Sequence, residues 1–438
     1  MLTTALVADI ELERVLTGLR AALLVTVRDP ARHADPETGI AFFSALSRQC
    51  FINDYVYAQA DWEREQVEAL CGSLDGALRT GAPISAPSIM ALTCYMPLSS
   101  LPSADLFLER PWPAAVNEVL TQQVRDPSTA RQYRATVPRL TAIEDAVSLA
   151  VRRQYEDNPY PSWTKLAPAD EWTSVGAYLR TFFPLAHFAA TGKPDSDILV
   201  AGCGTGQQSI ETARRFPHAR VLAVDLSLAS LSYARVKTEA AQVKNIDYAQ
   251  ADLLQLGAIG RSFDMIEATG VLHHLADPME GWRVLLSLLR PNGFMRVALY
   301  SRLARADVRA AREWIAQHGY LATPEDIRRC RQEMIACGGD APFAWLTHSP
   351  DFASTSACRD LLFHVHERQL GLDEIATFLA DEKLAFLGFE IESPTLEKYR
   401  ARFPNDPAMT DLANWHLFET ENPDTFGAMY QFWIHRRG

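Results

Sequence analysis

The chain has no Cys-x-x-Cys pair, and its seven cysteines (50, 71, 94, 203, 330, 337 and 358) are an odd number without metal-type spacing. A zinc-ribbon framework is excluded, and 438 residues need no disulfide scaffold to build a core, so a reduced, cytoplasmic setting is expected. No apolar run nears membrane-spanning length, and the first residues carry Asp9, Glu11 and Glu13, which argues against a membrane helix and against a signal peptide. Basic residues are also short. A net charge of -12 lacks the clustered Lys and Arg of an extended nucleic-acid surface, so a nucleic-acid partner is not expected. No helical-solenoid repeat is visible before residue 150. What remains, 48% hydrophobic and 22% charged, is an ordinary globular composition with room for two or three domains.

Residues up to about 150 read as helical. Leu12, Val15, Leu16, Leu19 and Leu23 mark one face of a first helix, and 41–57 and 61–78 suggest two more. From about 196 the texture changes to short apolar runs alternating with helical segments: 197–201, 220–225, 246–252, 263–269 and 294–300, with Pro291-Asn292-Gly293 as a turn before the last. Residues 302 to about 371 return to helix, with Thr323-Pro324 as a cap and first position. A helix over 372–380 and strands over 385–391 and 430–435 then complete the alternation. The pattern predicts a parallel sheet covered on both faces.

The run Ile198-Leu199-Val200-Ala201-Gly202-Cys203-Gly204-Thr205-Gly206-Gln207 carries the most chemistry. A buried strand breaks into a glycine turn and a helix follows, with Asp225 closing the next strand, as at a nucleotide site on a sheet edge. A phosphate-binding P-loop would end Gly-Lys-Ser/Thr, whereas this run ends Gly206-Gln207-Gln208. A dinucleotide loop would be Gly-x-Gly-x-x-Gly, but here the third glycine comes one residue early.

In order along 196–301, this run, Val224-Asp225-Leu226-Ser227, Ala251-Asp252-Leu253, and Phe263-Asp264 through Gly270-Val271-Leu272-His273-His274-Leu275 resemble the motifs of class I S-adenosylmethionine-dependent methyltransferases. The resemblance implies an α/β fold: a Rossmann-like, doubly wound, seven-stranded sheet with a helical N-terminal domain (1–150) and helical inserts. The cofactor-binding core would be 151–301, an insert forming a substrate wall or lid 302–371, and the completion of the sheet 372–438.

S-adenosylmethionine is the implied cofactor. Gly202, Gly204 and Gly206 would let the backbone approach its methionine part, with Cys203 as a packing residue rather than a nucleophile, and Thr205 and Gln207 beside it. Asp225, nineteen residues after Gly206, would accept from both ribose hydroxyls, with Leu226 adjacent. Asp252 would meet the adenine amino group while Leu253 offers its amide; Thr269 and Gly270 would border the methyl donor. The cofactor has no phosphates, which accounts for the missing lysine.

Methyl transfer is an in-line displacement that depends on alignment, and a nitrogen or oxygen acceptor also needs a base. His273 and His274, after the fourth strand, are the candidates, with fixing the turn as their competing role; Glu267 is expected to pack or pair below them. Upstream, Gln154 to Trp163 is similar to a Tyr-x-x-Asn-Pro-Tyr-Pro-x-Trp segment of bacterial methyltransferases, some of them fused to tetratricopeptide repeats. Tyr160 and Trp163 would there fold over the sulfonium, or simply stiffen a junction. Asn158-Pro159-Tyr160 precedes the first strand, the wrong place for the Asn-Pro-Pro-aromatic motif of amino-methylating enzymes. His364 and His366 would share a face on a strand beside Glu367, but two histidines without a third ligand do not make a metal site, and none is expected. Tyr300, Trp314, Trp345 and aromatics near Trp415 are candidate pocket walls. The acceptor would be a small molecule or a protein side chain; a non-catalytic cofactor-binding scaffold is the alternative, and the oligomeric state is open.

Overall fold

The computed structural model describes residues 2–28, 39–161, 163–188 and 193–437, so Ser162 of the aromatic segment lies outside the described residues. The chain forms two compact units. One holds Arg134–Pro159, Leu166–Arg309 and His364–Gly438; the other holds Met1–Tyr133, Tyr160–Lys165 and Ala310–Phe363.

The first unit is built on a seven-stranded sheet of order β3-β2-β1-β4-β5-β7-β6. The strands are β1 (Asp197–Ala201), β2 (Arg220–Asp225), β3 (Ile246–Gln250), β4 (Phe263–Thr269), β5 (Leu289–Tyr300), β6 (Leu384–Phe389) and β7 (Met429–Arg436). The first five pair in parallel, while β7 runs antiparallel to both β5 and β6. The doubly wound sheet implied by the motifs is therefore present. Alternate residues feed separate cores: Leu199, Leu222 and Ile266 pack with Trp282 and Trp415, while Ile198, Val221 and Met265 pack with Tyr178 and Trp433. Burial on both faces is why these strands read as continuous apolar runs rather than alternating ones.

Several boundaries differ from the sequence reading: the second helix ends at Ile52 rather than 57 and β6 at Phe389 rather than 391. β3 stops at Gln250, because Asp252 turns to cap the 3₁₀ turn Leu253–Ile259 through the Leu254 amide. β5 begins at Leu289, and Arg290–Gly293 bulges between the Leu289–Phe263 and Phe294–Met265 pairs, with Asn292 at φ 60°. The residues before β1 also extend the sheet's edge. The Gln250 amide donates to the Pro138 carbonyl at 2.8 Å and the Leu140 amide to the Gln250 carbonyl at 2.9 Å.

In the second unit the helix Ile10–Thr26 corrects the expected stripe. Glu13, Leu16, Arg20, Leu23 and Leu24 are buried, while Val15 and Leu19 are exposed. The two charged residues are tolerated inside because each is paired. Glu13 accepts from Arg331 at 2.9 and 3.1 Å; Arg20 donates to the Ala58 carbonyl and lies 4.1 Å over the Tyr95 ring. Arg331 belongs to the helix Pro324–Cys337, where Thr323 and Pro324 form the expected start. Ala310–Phe363 thus packs with the N-terminal helices, whereas Arg134–Pro159 goes with the sheet. The helix-and-strand texture of the sequence cannot register such a division, because it depends on long-range pairs. Trp415, proposed near a pocket wall, is core: it is fully buried and stacked on Tyr399 at 3.8 Å.

Candidate active site

The glycine turn is tied to the neighbouring strand, since the Gly202 and Cys203 amides both donate to the Val224 carbonyl, at 2.9 and 3.0 Å. Gly202, Gly204 and Gly206 take φ of 72°, 51° and 89°, a region that favours glycine. A side chain at Gly202 would also fall 2.5 Å from the Val271 Cβ, and one at Gly206 2.6 Å from the Ala234 Cβ. At these two positions the protein's own packing forbids a Cβ, a demand separate from the ligand approach that the sequence suggested. Thr205 is buried in the turn, and burial, then nearby Asp225, raises the Cys203 thiol pKa, which suits a packing residue. Gln207 opens the helix Gln207–Arg215 and reaches Glu211 at 3.4 Å.

Asp225 ends β2 with one carboxylate oxygen accepting the Gly204 amide and the other the Ser227 amide, both at 2.8 Å. Burial raises its pKa, the two amides oppose the rise, and nearby Glu156 adds to it. A carboxylate has about four lone-pair positions. Part of the residue stays exposed, so the carboxylate keeps capacity for a further hydroxyl donor. Leu226 is held through its carbonyl, which accepts from Gln250 at 2.8 Å.

Asp252 is only 1% exposed, with its carboxylate on the Leu254 amide and its own amide donating to Thr141 at 2.7 Å. Burial raises its pKa too. Leu253 beside it is buried.

The helix Ala146–Asp157 covers this rim. The Ser227 hydroxyl donates to the Tyr155 carbonyl at 3.0 Å, and Glu156 accepts the Leu228 amide at 2.6 Å. Sequence reasoning singled out this segment for its aromatics but missed that Tyr155 and Glu156 cap the helix after Asp225.

Along β4, Glu267 is fully buried. One oxygen accepts from Gln208 at 2.9 Å and Thr212 at 2.8 Å, and the other has no hydrogen-bond partner among the described residues. Burial raises its pKa, opposed first by Arg296. The same Gln208 amide donates to the Thr269 hydroxyl at 2.9 Å, so the helix Gln207–Arg215 holds the end of β4. Gly270 follows at φ 79°, and its Cβ direction meets nothing within 4 Å.

The two candidate bases separate sharply. His273 is 0% exposed, its ring stacked on Tyr300 at 3.7 Å, and among the described residues neither nitrogen has a partner of hydrogen-bond geometry. Burial, then the charges of His274, Arg305 and His364, lowers its pKa well below the ordinary value; the nearby Ala298 carbonyl offsets this only in part. On the other face of Tyr300 lies the Arg305 guanidinium at 3.6 Å, which is paired at both nitrogens with Glu367 at 2.9 and 2.8 Å. His274 is 6% exposed and stacks on His364 at 3.8 Å, with its Nδ1 3.1 Å from the His366 carbonyl. His364 and His366 lie in a loop, not on a strand. Glu367 is engaged by Arg305.

Tyr160 and Trp163 fall in the other unit, where the Tyr160 hydroxyl donates to Asp351 at 3.2 Å and Trp163 is buried. The glycine turn, Asp225, Asp252, Thr269, Gly270 and His274 come together within one unit; these two aromatics do not belong to it. Trp314 is also in the helical unit, stacked on His318 at 4.0 Å.

The donor set fits a diol-bearing, phosphate-free ligand: a carboxylate with spare acceptor capacity at Asp225, an uncharged glycine turn, and open space at Gly270. Residues 198–293 match the family profile described as a methyltransferase domain. The chain is 36% identical over 181 residues to a ubiquinone biosynthesis O-methyltransferase of Parvibaculum lavamentivorans, covering 37% of this chain and 70% of that protein. It is 33% identical over 180 residues to an uncharacterized protein of Synechococcus sp., covering 40% of this chain and 42% of that one. A trans-aconitate 2-methyltransferase of Deinococcus radiodurans is 35% identical over 105 residues, 24% of this chain and 38% of the relative. The chain therefore spans well under half the length of two of these three relatives. Among solved structures, PKMT2 from Rickettsia typhi aligns at 17% identity and a TM-score of 0.46, over 61% of this chain and 54% of that one.

Proposed function

The chain belongs to the class I S-adenosylmethionine-dependent methyltransferases, and on that footing we propose that it methylates a nitrogen or oxygen acceptor on a small molecule or protein side chain, with His274 taking the acceptor's proton. Bound S-adenosylmethionine supplies an electrophilic methyl group: the acceptor's lone pair bonds to the methyl carbon as the sulfur–carbon bond breaks and its electron pair stays on sulfur. The protein's part is to hold, align and deprotonate.

In this reading Asp225 accepts from both ribose hydroxyls, and Asp252, with the Leu253 amide, lies toward the adenine. The turn 202–207 and Leu226 frame the rest of the cofactor, and Thr269 and Gly270 border its methyl end. The full burial of His273 and its stack on Tyr300 support a turn-fixing role for that residue, which leaves His274 to meet the acceptor.

The observation that carries the proposal is that one rim gathers the three parts. Gly202 packs on Val271 of the His274 turn, Gly204 donates to Asp225, and Ser227 beside Asp225 bonds the Tyr155 carbonyl. The test is incubation with methyl-labelled S-adenosylmethionine and a native extract, followed by separation of protein from small molecules. Label in either fraction, lost on Asp225→Ala, is the expected result. No label in either fraction would defeat the proposal.

A further inference from the structure

The histidines around the turn after β4 form an ordered array in which each ring nitrogen with a recorded partner has its role dictated by that partner. A carbonyl oxygen only accepts and a backbone N–H only donates. His274 Nδ1 lies 3.1 Å from the His366 carbonyl, so Nδ1 carries the proton and the lone pair of the neutral ring sits on Nε2. The His366 amide donates to His364 Nδ1 at 3.0 Å, so His364 has the opposite tautomer, protonated on Nε2, with the Tyr155 hydroxyl oxygen 3.3 Å from that nitrogen. The His366 side chain is itself anchored, donating from Nε2 to the Leu275 carbonyl at 3.0 Å. The His274 and His364 rings lie 3.8 Å apart and within 17° of parallel.

We propose that His364 and His366 are positioning residues that fix His274 as a base acting through Nε2. The inference rests on the reading of His274 as the proton acceptor. It adds which nitrogen acts, what sets it, and why the stacked neighbour does not compete for the proton. The acceptor's proton goes to His274 Nε2, the Nδ1–H keeps its bond to the His366 carbonyl as the ring becomes imidazolium, and the proton then leaves to solvent. His364 cannot take the proton at Nδ1 without losing the His366 amide bond, and its Nε2 is already protonated. A backbone carbonyl behind a working imidazole is the device that orients metal-bound histidines, applied here to a proton. The loop 364–366 reaches this turn from the distant C-terminal part of the unit, so the base is assembled by tertiary contact.

The test uses the full chain labelled with ¹⁵N-histidine and read by long-range ¹H–¹⁵N correlation at pH 8, with His274→Gln and His364→Gln identifying the two signals. The expected result is His274 protonated at Nδ1 and bare at Nε2, and His364 the reverse. In His364→Phe, which keeps a ring in the stack but frees the His366 peptide to turn its carbonyl away from His274, the His274 tautomer ratio should move toward Nε2–H by up to about five- to tenfold, the worth of the Nδ1–H bond to that carbonyl. His274 protonated at Nε2, or an unmoved ratio in His364→Phe, overturns the positioning role even if label transfer depends on His274. The labelled-cofactor assay separates the two readings: tautomers as assigned, with His274→Gln transferring label at the wild-type rate, defeats the base reading and the positioning role with it. Calorimetry with S-adenosylmethionine, unchanged in His274→Gln, confirms that the variant is folded.

Discussion

Gly202→Ala carries two costs, one conformational and one steric, that a second substitution can separate. The backbone there has φ 72°, and holding a residue with a Cβ in the left-handed region costs about 1–2 kcal/mol. The added methyl would also lie 2.5 Å from the Val271 Cβ, 2.6 Å from Cγ2 and 3.3 Å from Cγ1. Overpacking of this kind costs about 1–3 kcal/mol, so the total is about 2–5 kcal/mol. The closest atom is a Cβ, fixed to the turn backbone, and cannot swing away. Val271→Ala keeps that atom and should relieve little, whereas Val271→Gly removes all three contacts and should leave only the conformational part. Urea unfolding of six proteins, the wild type, Val271→Ala, Val271→Gly and each of these with Gly202→Ala, followed through tryptophan fluorescence, gives the coupling energies. An equal cost of Gly202→Ala in the wild-type and Val271→Gly backgrounds would refute the steric argument and return the glycine to a purely conformational or ligand-facing role.

Asp225→Ala should weaken S-adenosylmethionine binding strongly in calorimetry; unchanged affinity would sink the assignment of the ribose acid. Burial holds the Asp225 pKa above the ordinary value, while hydroxyl donors favour the ionised form. Affinity should therefore be full above that raised pKa and fall as pH drops through it, and Asp225→Asn should lose the pH dependence along with the affinity. His273 is neutral in the fold with a lowered pKa, whereas the unfolded chain takes up a proton as pH falls through about 6.5. Stability should thus decline below that point by about 1.4 kcal/mol per pH unit, until the lowered folded pKa is reached. Calorimetric unfolding of His273→Phe, which keeps the stack on Tyr300, should show a flatter pH dependence than wild type; an identical slope would show that His273 is not the source. Arg331→Met strands buried Glu13 and should cost the helical unit about 3–5 kcal/mol in thermal unfolding, with much of the loss recovered in Glu13→Leu/Arg331→Met. No recovery would mean that the Arg331 bonds to the Phe352 and Val56 carbonyls matter more than the ion pair.

The parts of this protein that local chemistry specifies were legible in the residues themselves. A strand buried on both faces must be apolar throughout, a backbone at positive φ favours glycine, and a helix start favours a capping side chain. β1, β2 and β4, the turn 202–206 and Asp225 therefore stand where the residues placed them, in a sheet whose last strand comes from the extreme C-terminus. Pairings between distant segments were not legible. Val15 and Leu19 continue an apolar stripe but are exposed, because the inside positions Glu13 and Arg20 are made tolerable by Arg331, Ala58 and Tyr95, which no local window contains. His273 and His274 are equivalent in a Leu-His-His-Leu string. Only the fold puts one under Tyr300 and Arg305 and sets the other against His364 and the His366 carbonyl. The sequence by itself determined the sheet and the glycine turn after β1, since these rest on periodicity and backbone torsion. Tertiary structure alone decided which histidine is sealed against Tyr300 and which lies against His364 and the His366 carbonyl, because burial and hydrogen-bond partners come from residues up to about ninety positions away.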